Sequence, residues 1–556
     1  MTEEFRERID RFVRDRLYGY NPTATGEKII HDPIWGSVVF APWEVRLIDS
    51  PLLQRLRDVN QVGLAQTTYP AARHTRFEHS LGVAAVASRM MEHLRSDAEQ
   101  RPETAGVVTE EQIRLIRLAA LLHDVGHCAY SHLSEAVYGR MPEFVQAREE
   151  LLCTVPQPAN PKPHELFSYF IITSDAMAEF LCQLRYPGAG SPAQARRILQ
   201  KAANIVIGVV NRDENGTKYS YLTSVINGNF DADKLDYTQR DSYTAGIALT
   251  YGAERFLLKL VLCRTEENGV TDFRLALTQD ALSTVEELVF NRSMLYHYMY
   301  YHQKVLAAEA QMRDAIYALV KAGKILHPCD FLTLTNADLS ALFHSDRQPY
   351  AAYGALPRRT LHTLWEDLSG RRLMKRALEL TPQSFAILEL EKQKRKETAE
   401  RIRNGEDGEE ILSEFLSDWQ KDTLYPPYVA EYIAFLGKCS MEEYIAERRV
   451  IAEKIAAAYR EEGRTPDFDA FDLAVAMQPP LKSDLHLTIV DKSGVPVDVA
   501  DAVRRIERWT ETLNLGNWRG YFFVSPHMDR TLAAQVFRRH MEEFQGEVKL
   551  AQTPQI

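Results

Sequence analysis

The segment EEQIRLIRLAALLHDVGHCAYSHLSE (110–135) constrains the fold more than any other. Its apolar residues recur at helical spacing, with Ile113, Ile116 and Ala120 on the face a core would cover. The run LAALL must be buried, so the adjacent His123 and Asp124 sit at the inner end of a core helix. A carboxylate at such a place is costly unless it is paired or metal-bound. An imidazole nitrogen beside a carboxylate oxygen suits a divalent metal of borderline hardness. One more histidine and one more aspartate would complete a His2Asp2 set with open positions for water or substrate. A metal so held acidifies water and polarises a phosphoryl oxygen. A lone His-Asp pair would read better as a satisfied polar core network. The company this pair keeps decides against that.

That company is uneven along the chain. Eight of the 16 histidines fall in the first 164 residues. His127 and His132 follow His123 closely, and TRFEHSLG upstream carries His79. Far downstream, DADKLDYTQRD holds Asp231, Asp233, Asp236 and Asp241.

The rest of the first 335 residues reads as mostly helical. WEVRLIDSPLLQRLRDVNQVG (43–63) has helical periodicity, with Asp49-Ser50-Pro51 able to start a second helix. HSLGVAAVASRMMEHL (79–94) places Leu81, Met90 and Leu94 in the core. PQPANPKP (156–163) reads as a loop delivering His164, and Asn215-Gly216 as a hairpin turn. From 336 to 480 the pattern stays helical but more charged. ILELEKQKRKETAERIRN (387–404) reads as an exposed helix, with breaks at NGEDGEE (404–410) and EEGRTPDFD (461–469). The tail alternates strand, helix, strand, helix: DLHLTIV, ADAVRRIERWTETL, WRGYFFVSP and RTLAAQVFRRHMEEF. The expected architecture is therefore mainly α: a helical metallohydrolase core (1–335), a helical extension (336–480) and a small C-terminal α/β module (481–556).

With 556 residues the chain is long enough for two or three domains. No apolar run reaches the roughly 18–20 residues of a membrane span, and the N-terminal stretch is charged and amphipathic without a secretory core, so a cytoplasmic, membrane-free protein is expected. The six cysteines are scattered without a C-x-x-C pair, which argues for reduced thiols and against a cysteine zinc site. A net charge of −11 disfavours a protein that coats nucleic acid, yet leaves room for an anionic substrate in a locally positive pocket.

Taken in order, HDPIWG, IDSPLLQRLRDVNQVG, RFEHSLG, LLHDVGHCAYSH, HELFS and DADKLDYTQRDSYTAG resemble the HD-domain superfamily. Within it they are most similar to the deoxynucleoside triphosphate triphosphohydrolases, in the branch that includes the vertebrate sterile-alpha-motif and HD-domain enzyme. The resemblance covers roughly the first 310 residues, without the sterile-alpha-motif domain. It implies hydrolysis of a dNTP to deoxynucleoside and inorganic triphosphate. It makes His79, His123, Asp124 and Asp233 the metal ligands, with Mn, Fe, Mg, Co or Zn all compatible. It places His127, His132 and His164 around the α-phosphate, His132 as proton donor to the leaving oxygen and Glu135 as its orienting acid. Asp231 becomes a near-metal carboxylate.

The resemblance also gives Arg76, Lys234, Tyr237 and Arg292 to the triphosphate, and Gln61 and Asp241 to the sugar 3′-hydroxyl. Tyr301 becomes the residue stacked under the sugar. These types make chemical sense: a triphosphate carries about four negative charges, which a metal, an Arg fork and a Lys point charge offset. Attack at phosphorus needs an acid for the leaving oxygen, and histidine titrates near neutrality. His74 and His31 are left to structural roles.

By the same resemblance, Lys28, Asp49, Gln54 and Arg57 match an allosteric nucleotide site, implying activation by GTP or a dNTP and a homo-oligomer, dimer or tetramer. His31 stands where the family has Asn, which leaves any second activator open. The bland readings are that Asp49 caps the helix at Ser50-Pro51 and that Arg57 pairs with Asp58 or Asp49. Two other functions stay open. One is a different HD phosphohydrolase, acting on other nucleotides or an alarmone. The other is a nucleotide-sensing or nucleic-acid-binding protein. Nothing in the residues chooses between nucleotide-pool balance and antiphage defence.

Overall fold

A computed structural model describes residues 2–155, 160–345, 347, 360–381, 427–478, 488–491, 497 and 500–544. The chain is mainly α-helical, as its periodicity requires. It divides into two compact units, one drawn from 1–295, 323–342 and 484–507, the other from 296–322, 343–483 and 508–556.

The first unit opens with helix α1 (Thr2–Leu17), the hairpin β1 (Lys28–Asp32) and β2 (Gly36–Phe40), and two short helices, α2 (Pro42–Ile48) and α3 (Pro51–Gln54). Its centre is α4 (Arg76–Ala98), packed against α5 (Glu110–Leu122). Both start on sequence signals. Thr75 N–H donates to Glu78 Oε2 at 2.6 Å, and α5 begins in a reciprocal cap, with Thr109 N–H donating to Gln112 Oε1 at 2.8 Å and Gln112 N–H to Thr109 Oγ1 at 3.3 Å. The expected core residues Leu81, Met90, Leu94, Ile113, Ile116 and Ala120 are all buried.

Helices α6 (His132–Tyr138), α7 (Pro142–Thr154), α8 (Pro163–Ile172), α9 (Asp175–Gln183), α10 (Pro192–Val206) and α11 (Ser220–Ile226) follow. Residues 156–159 of the expected loop lie outside the described residues, and 160–162 are non-helical; its last residue, Pro163, opens α8, where its missing N–H costs nothing, and His164 rides on that first turn. The Asn215-Gly216 turn forms as expected, with Gly216 at φ +83° and Arg212 bridged to Lys218. Helix α12 (Ala232–Ala245) then packs against α4, and Gly246 ends it in the left-handed conformation. The approach is close: a Cβ on Gly82 of α4 would fall 2.0 Å from Asp236 Oδ1. The unit closes with α13 (Ala253–Leu257), the antiparallel pair β3 (Leu260–Glu267) and β4 (Val270–Thr278), and α14 (Leu282–Leu295). The two hairpins interrupt a region read from its periodicity as helical.

In the second unit, α15 (Gln303–Lys321) and helix Met441–Glu461 accompany a sheet of three strands, Lys375–Leu380, Gly520–Val524 and Leu473–Met477, the second in the middle and antiparallel to both neighbours. Arg448 is fully buried and forks onto Asp314 at 2.8 and 2.9 Å. In the tail, helices Ala500–Gly516 and Arg530–Glu542 and strand Gly520–Val524 form as read; of the first strand only Ile489–Val490 is seen, since 484–487 lie outside the described residues, and the two strands go to different sheets. Gly520–Val524 completes this one, whereas Ile489–Val490 pairs with β4. The break at 461–469 falls beyond a helix end, and the segments 387–404 and 404–410 lie outside the described residues. The described cysteines are all free, and among the described residues no helix is long and apolar enough to cross a membrane.

Candidate metal centre and active site

His79 stands in the first turn of α4, His123 and Asp124 at the end of α5, and Asp233 in the first turn of α12. The packing of α4 on α5 and α12 brings these turns together. His79, His123 and Asp124 offer ligand atoms within 4.8 Å of one another. Asp124 lies 3.6 Å from His79 Nε2, 3.3 Å from His123 Nε2 and 3.4 Å from His127 Nε2. Asp233 Oδ1 completes the set at 3.0 Å from His79 Nε2 and 4.0 Å from His123 Nε2.

The ring nitrogens show what such a set suits. The Nε2 atoms of His79, His123 and His127 are buried without a hydrogen-bond partner. Each Nδ1 is held from behind: His79 by Asp236 Oδ2 at 2.7 Å, His123 by the Ala120 carbonyl at 2.7 Å, and His127 by Ser131 Oγ at 3.2 Å. Buried orphan nitrogens are rare. Imidazoles anchored through Nδ1, with free Nε2 atoms converging on carboxylates, are the donor set a divalent cation needs. Charges follow the same logic. Burial opposes a proton on His79, but Asp233 and Asp236 outweigh it and raise the pKa to about 10. Burial opposes the charge on Asp124 too, but His123, Arg76 and His127 keep it ionised well below its ordinary range. Burial, with Arg76 and His164, drives His127 down to about 3, so that ring stays neutral.

A second group adjoins the first. Glu135 Oε1 faces the Nδ1 atoms of His164, His132 and His127 at 2.9, 3.1 and 3.2 Å, and the His127 and His164 rings stack at 3.8 Å. His132 is the open member, its side chain more than half exposed. Arg76 spans both groups, donating to Asp124 Oδ2 at 2.8 Å and Ser131 Oγ at 2.9 Å, with His132 Nε2 3.4 Å away. It does not pair with Glu78, whose carboxylate caps the helix. Tyr130 and Ser131 reach these positions at φ +56° and +52°, a left-handed backbone that costs non-glycine residues roughly 1–3 kcal/mol each. That strain sets the Ser131 hydroxyl between Arg76 and His127.

The remaining expected contacts are partly assembled. Asp231 is a helix cap: its carboxylate accepts from Lys234 N–H (2.7 Å), Gly228 N–H (2.9 Å) and the Lys234 ammonium (2.5 Å). Lys234 also donates to the Gly228 carbonyl. Tyr237 is half-buried one turn beyond Asp233 on α12. Gln61 and Asp241 are linked through His74: Gln61 N–H donates to the His74 carbonyl at 3.0 Å, and His74 Nε2 lies 2.7 Å from Asp241 Oδ1. Gln61 Oε1 is buried without a partner. Arg292 lies in the last turn of α14, and Tyr301 belongs to the second unit, where it packs on a cluster with Leu306, Met374 and Phe523.

Lys28, Asp49, Gln54 and Arg57 fall into two pairs: Lys28 Nζ is 3.6 Å from Asp49 Oδ1, and Arg57 Nε donates to Gln54 Oε1 at 2.8 Å. Asp49 is the C-cap of α2 and the partner of Lys28. Ser50, not Asp49, caps α3, and the Arg57 guanidinium lies 3.8 Å from the centre of the Phe77 ring.

Sequence reasoning gave no role to Ser131, Ser168 or Asp236. Ser168 Oγ donates to the His123 carbonyl at 2.6 Å and accepts from Gly126 N–H at 2.9 Å, tying α8 to the His-Asp turn. Asp236 had a legible signal, since it stands three residues after Asp233 and four before Arg240 on one helix.

Residues 76–183 match the HD domain family, a span that holds every expected site histidine, Asp124 and Glu135, with Asp233 beyond it. The chain is 28% identical over 298 residues to the deoxynucleoside triphosphate triphosphohydrolase SAMHD1 of Bos taurus, covering 52% of this chain and 47% of that protein. The Homo sapiens protein of the same name is 27% identical over 301 residues, covering 52% and 44%. An uncharacterized protein of Methanocaldococcus jannaschii, MJ1154, is 27% identical over 315 residues, covering 57% and 54%. The chain thus carries an HD domain and spans about half the length of these relatives.

Proposed function

We propose that this HD-domain chain, similar to SAMHD1 deoxynucleoside triphosphate triphosphohydrolases, is itself a metal-dependent hydrolase that splits a dNTP into deoxynucleoside and inorganic triphosphate. The observation that carries the reading is the convergence of orphan imidazole nitrogens on Asp124 beside Arg76 and the Glu135-linked histidines. His79, His123, Asp124 and Asp233 would hold the ion, and Mn, Fe, Mg, Co or Zn suits two nitrogens and two carboxylates. When bound, the ion supplies Lewis acidity to phosphoryl oxygens and eases deprotonation of water.

The chain's own residues do the rest. Arg76 exchanges its contacts with Ser131 and His132 for phosphate oxygens, and Lys234, Tyr237 and Arg292 add to the hold. Water attacks the α-phosphorus, the bond to the 5′-oxygen breaks, and His132 gives that oxygen its proton, oriented by Glu135. His127 and His164 line the phosphate, while Gln61 and Asp241 take the 3′-hydroxyl. The same reading assigns Lys28, Asp49, Gln54 and Arg57 to an activating nucleotide, GTP or a dNTP, and expects a homo-oligomer.

The test is incubation with each dNTP, alone and with GTP or dGTP, in Mn or Mg, with chromatography of the products. Intact triphosphate is expected. Its absence from every mixture overturns the proposal, and release of pyrophosphate or single phosphate points to another HD phosphohydrolase.

A further inference from the structure

Of the candidate metal ligands, His79 has the most elaborate support. Its Nδ1 lies 2.7 Å from Asp236 Oδ2, and Asp236 is wholly buried. An ionised carboxylate only accepts, so Nδ1 carries its hydrogen toward Asp236, and Nε2, the nitrogen a metal would take in place of a proton, faces Asp124 and Asp233. Asp236 is itself clamped. Oδ1 accepts from Trp35 Nε1 at 2.6 Å and from an Arg240 Nη2 at 2.9 Å, while Oδ2 accepts from Arg240 Nε at 2.8 Å as well as from His79. Four donors leave the carboxylate no freedom to turn. Arg240 is fixed in turn by Asp32 Oδ2 at 2.7 Å. The whole network is buried between α4, which carries His79, and α12, which carries Asp233. Gly82 leaves it room, since any Cβ there would strike Asp236 and Arg240.

We propose that Asp236 is a positioning residue for His79, fixing the ring's orientation and hydrogen placement so that Nε2 points into the metal site, and that the Arg240 fork holds Asp236 in register. This rests on the reading that His79, His123, Asp124 and Asp233 hold a divalent metal. A neutral imidazole without such an acceptor samples both hydrogen placements and turns about its side-chain bonds. Only one placement in one orientation serves as a ligand, and partners of this kind are worth about 10–100-fold in metal affinity. An Asp236 that merely neutralised Arg240 would support folding and leave metal affinity alone.

The experiment uses the full chain, stripped with a chelator and titrated with cobalt(II) while the visible absorption is followed. Melting of each metal-free variant by circular dichroism runs alongside. Wild type is expected to bind cobalt, and Asp236→Asn to bind it about 10–100-fold more weakly with a changed absorption band. Arg240→Lys, which keeps the charge but loses the fork, is expected to show a smaller loss in the same direction. Wild type that takes up no cobalt sinks the metal reading and this inference together. Wild type that binds while Asp236→Asn binds equally well overturns this inference alone, even if that variant melts earlier. Should Asp236→Asn not fold, Arg240→Lys decides, and unchanged cobalt affinity there is the overturning result.

Discussion

Glu135 Oε1 lies 2.9 Å from His164 Nδ1, joining the first turn of α6 to the first turn of α8. The same oxygen faces His132 and His127, so one carboxylate lies beside the Nδ1 atoms of three imidazoles. Glu135→Gln keeps the shape and removes the charge. Its kcat is expected to fall roughly 100-fold, the scale of a misplaced general acid, with a smaller change in KM. Steady-state kinetics on the substrate identified by product analysis checks this, and an unchanged kcat would remove Glu135 from the machinery.

The same pair predicts a pH dependence of stability. Burial works against charge on Glu135, but His164, His132 and His127 outweigh it and hold the acid well below its ordinary value of 4.5. Burial also works against a proton on His164, but Glu135 raises its pKa above 6.5. A depressed acid contributes stability above its unfolded pKa, and a raised histidine below its own. Both contributions are complete between 4.5 and 6.5. The acid's part is lost as pH falls through its folded pKa, and the histidine's as pH rises through its own. In chelator-treated protein, Glu135→Gln should therefore cost more stability at about pH 5.5 than at about pH 9. Urea unfolding at both values gives the comparison, and equal costs would refute the pairing.

Gly126 makes a purely steric prediction. A Cβ there would fall 2.3 Å from the His164 carbonyl and 2.4 Å from Ser168 N, both backbone atoms that cannot yield cheaply. Gly126→Ala should destabilise the chain by roughly 1–3 kcal/mol and push α8 from the His-Asp turn. Denaturant unfolding measures the first effect, and a midpoint at the wild-type value would contradict the packing described.

Ligand binding to the native state adds stability as RT ln(1 + [L]/Kd), about 2.7 kcal/mol at a hundredfold excess over Kd. Manganese added to stripped protein should thus raise the melting temperature. The His123→Ala/Asp124→Ala variant should fold, lose activity and show no such rise. Retained turnover in that variant would refute the ligand assignment.

Much of this site was legible because burial leaves a local trace. The LAALL run forces the end of α5 inward, and His123 and Asp124 are indeed buried there. The turn at Asn215-Gly216 is local too, written in two adjacent residues. The prolines of 156–163 argue for a loop before His164, and the last of them, Pro163, instead opens the helix that carries it.

What escaped the sequence depends on partners far along the chain. Asp236 meets His79 across 157 positions, Arg240 meets Asp32 across 208, and the sheet of the second unit gathers strands from 375–380, 473–477 and 520–524. Periodicity states which face of a helix is buried, not which helix covers it. By itself the sequence determined that the buried His123-Asp124 pair needs a partner such as a metal, and the family resemblance added His79 and Asp233 to it. Only the packing of α4 against α5 and α12 decided that their atoms converge and that Asp236, not water, stands behind His79. A buried carboxylate must find donors wherever the fold supplies them, and no local rule of sequence says where that is.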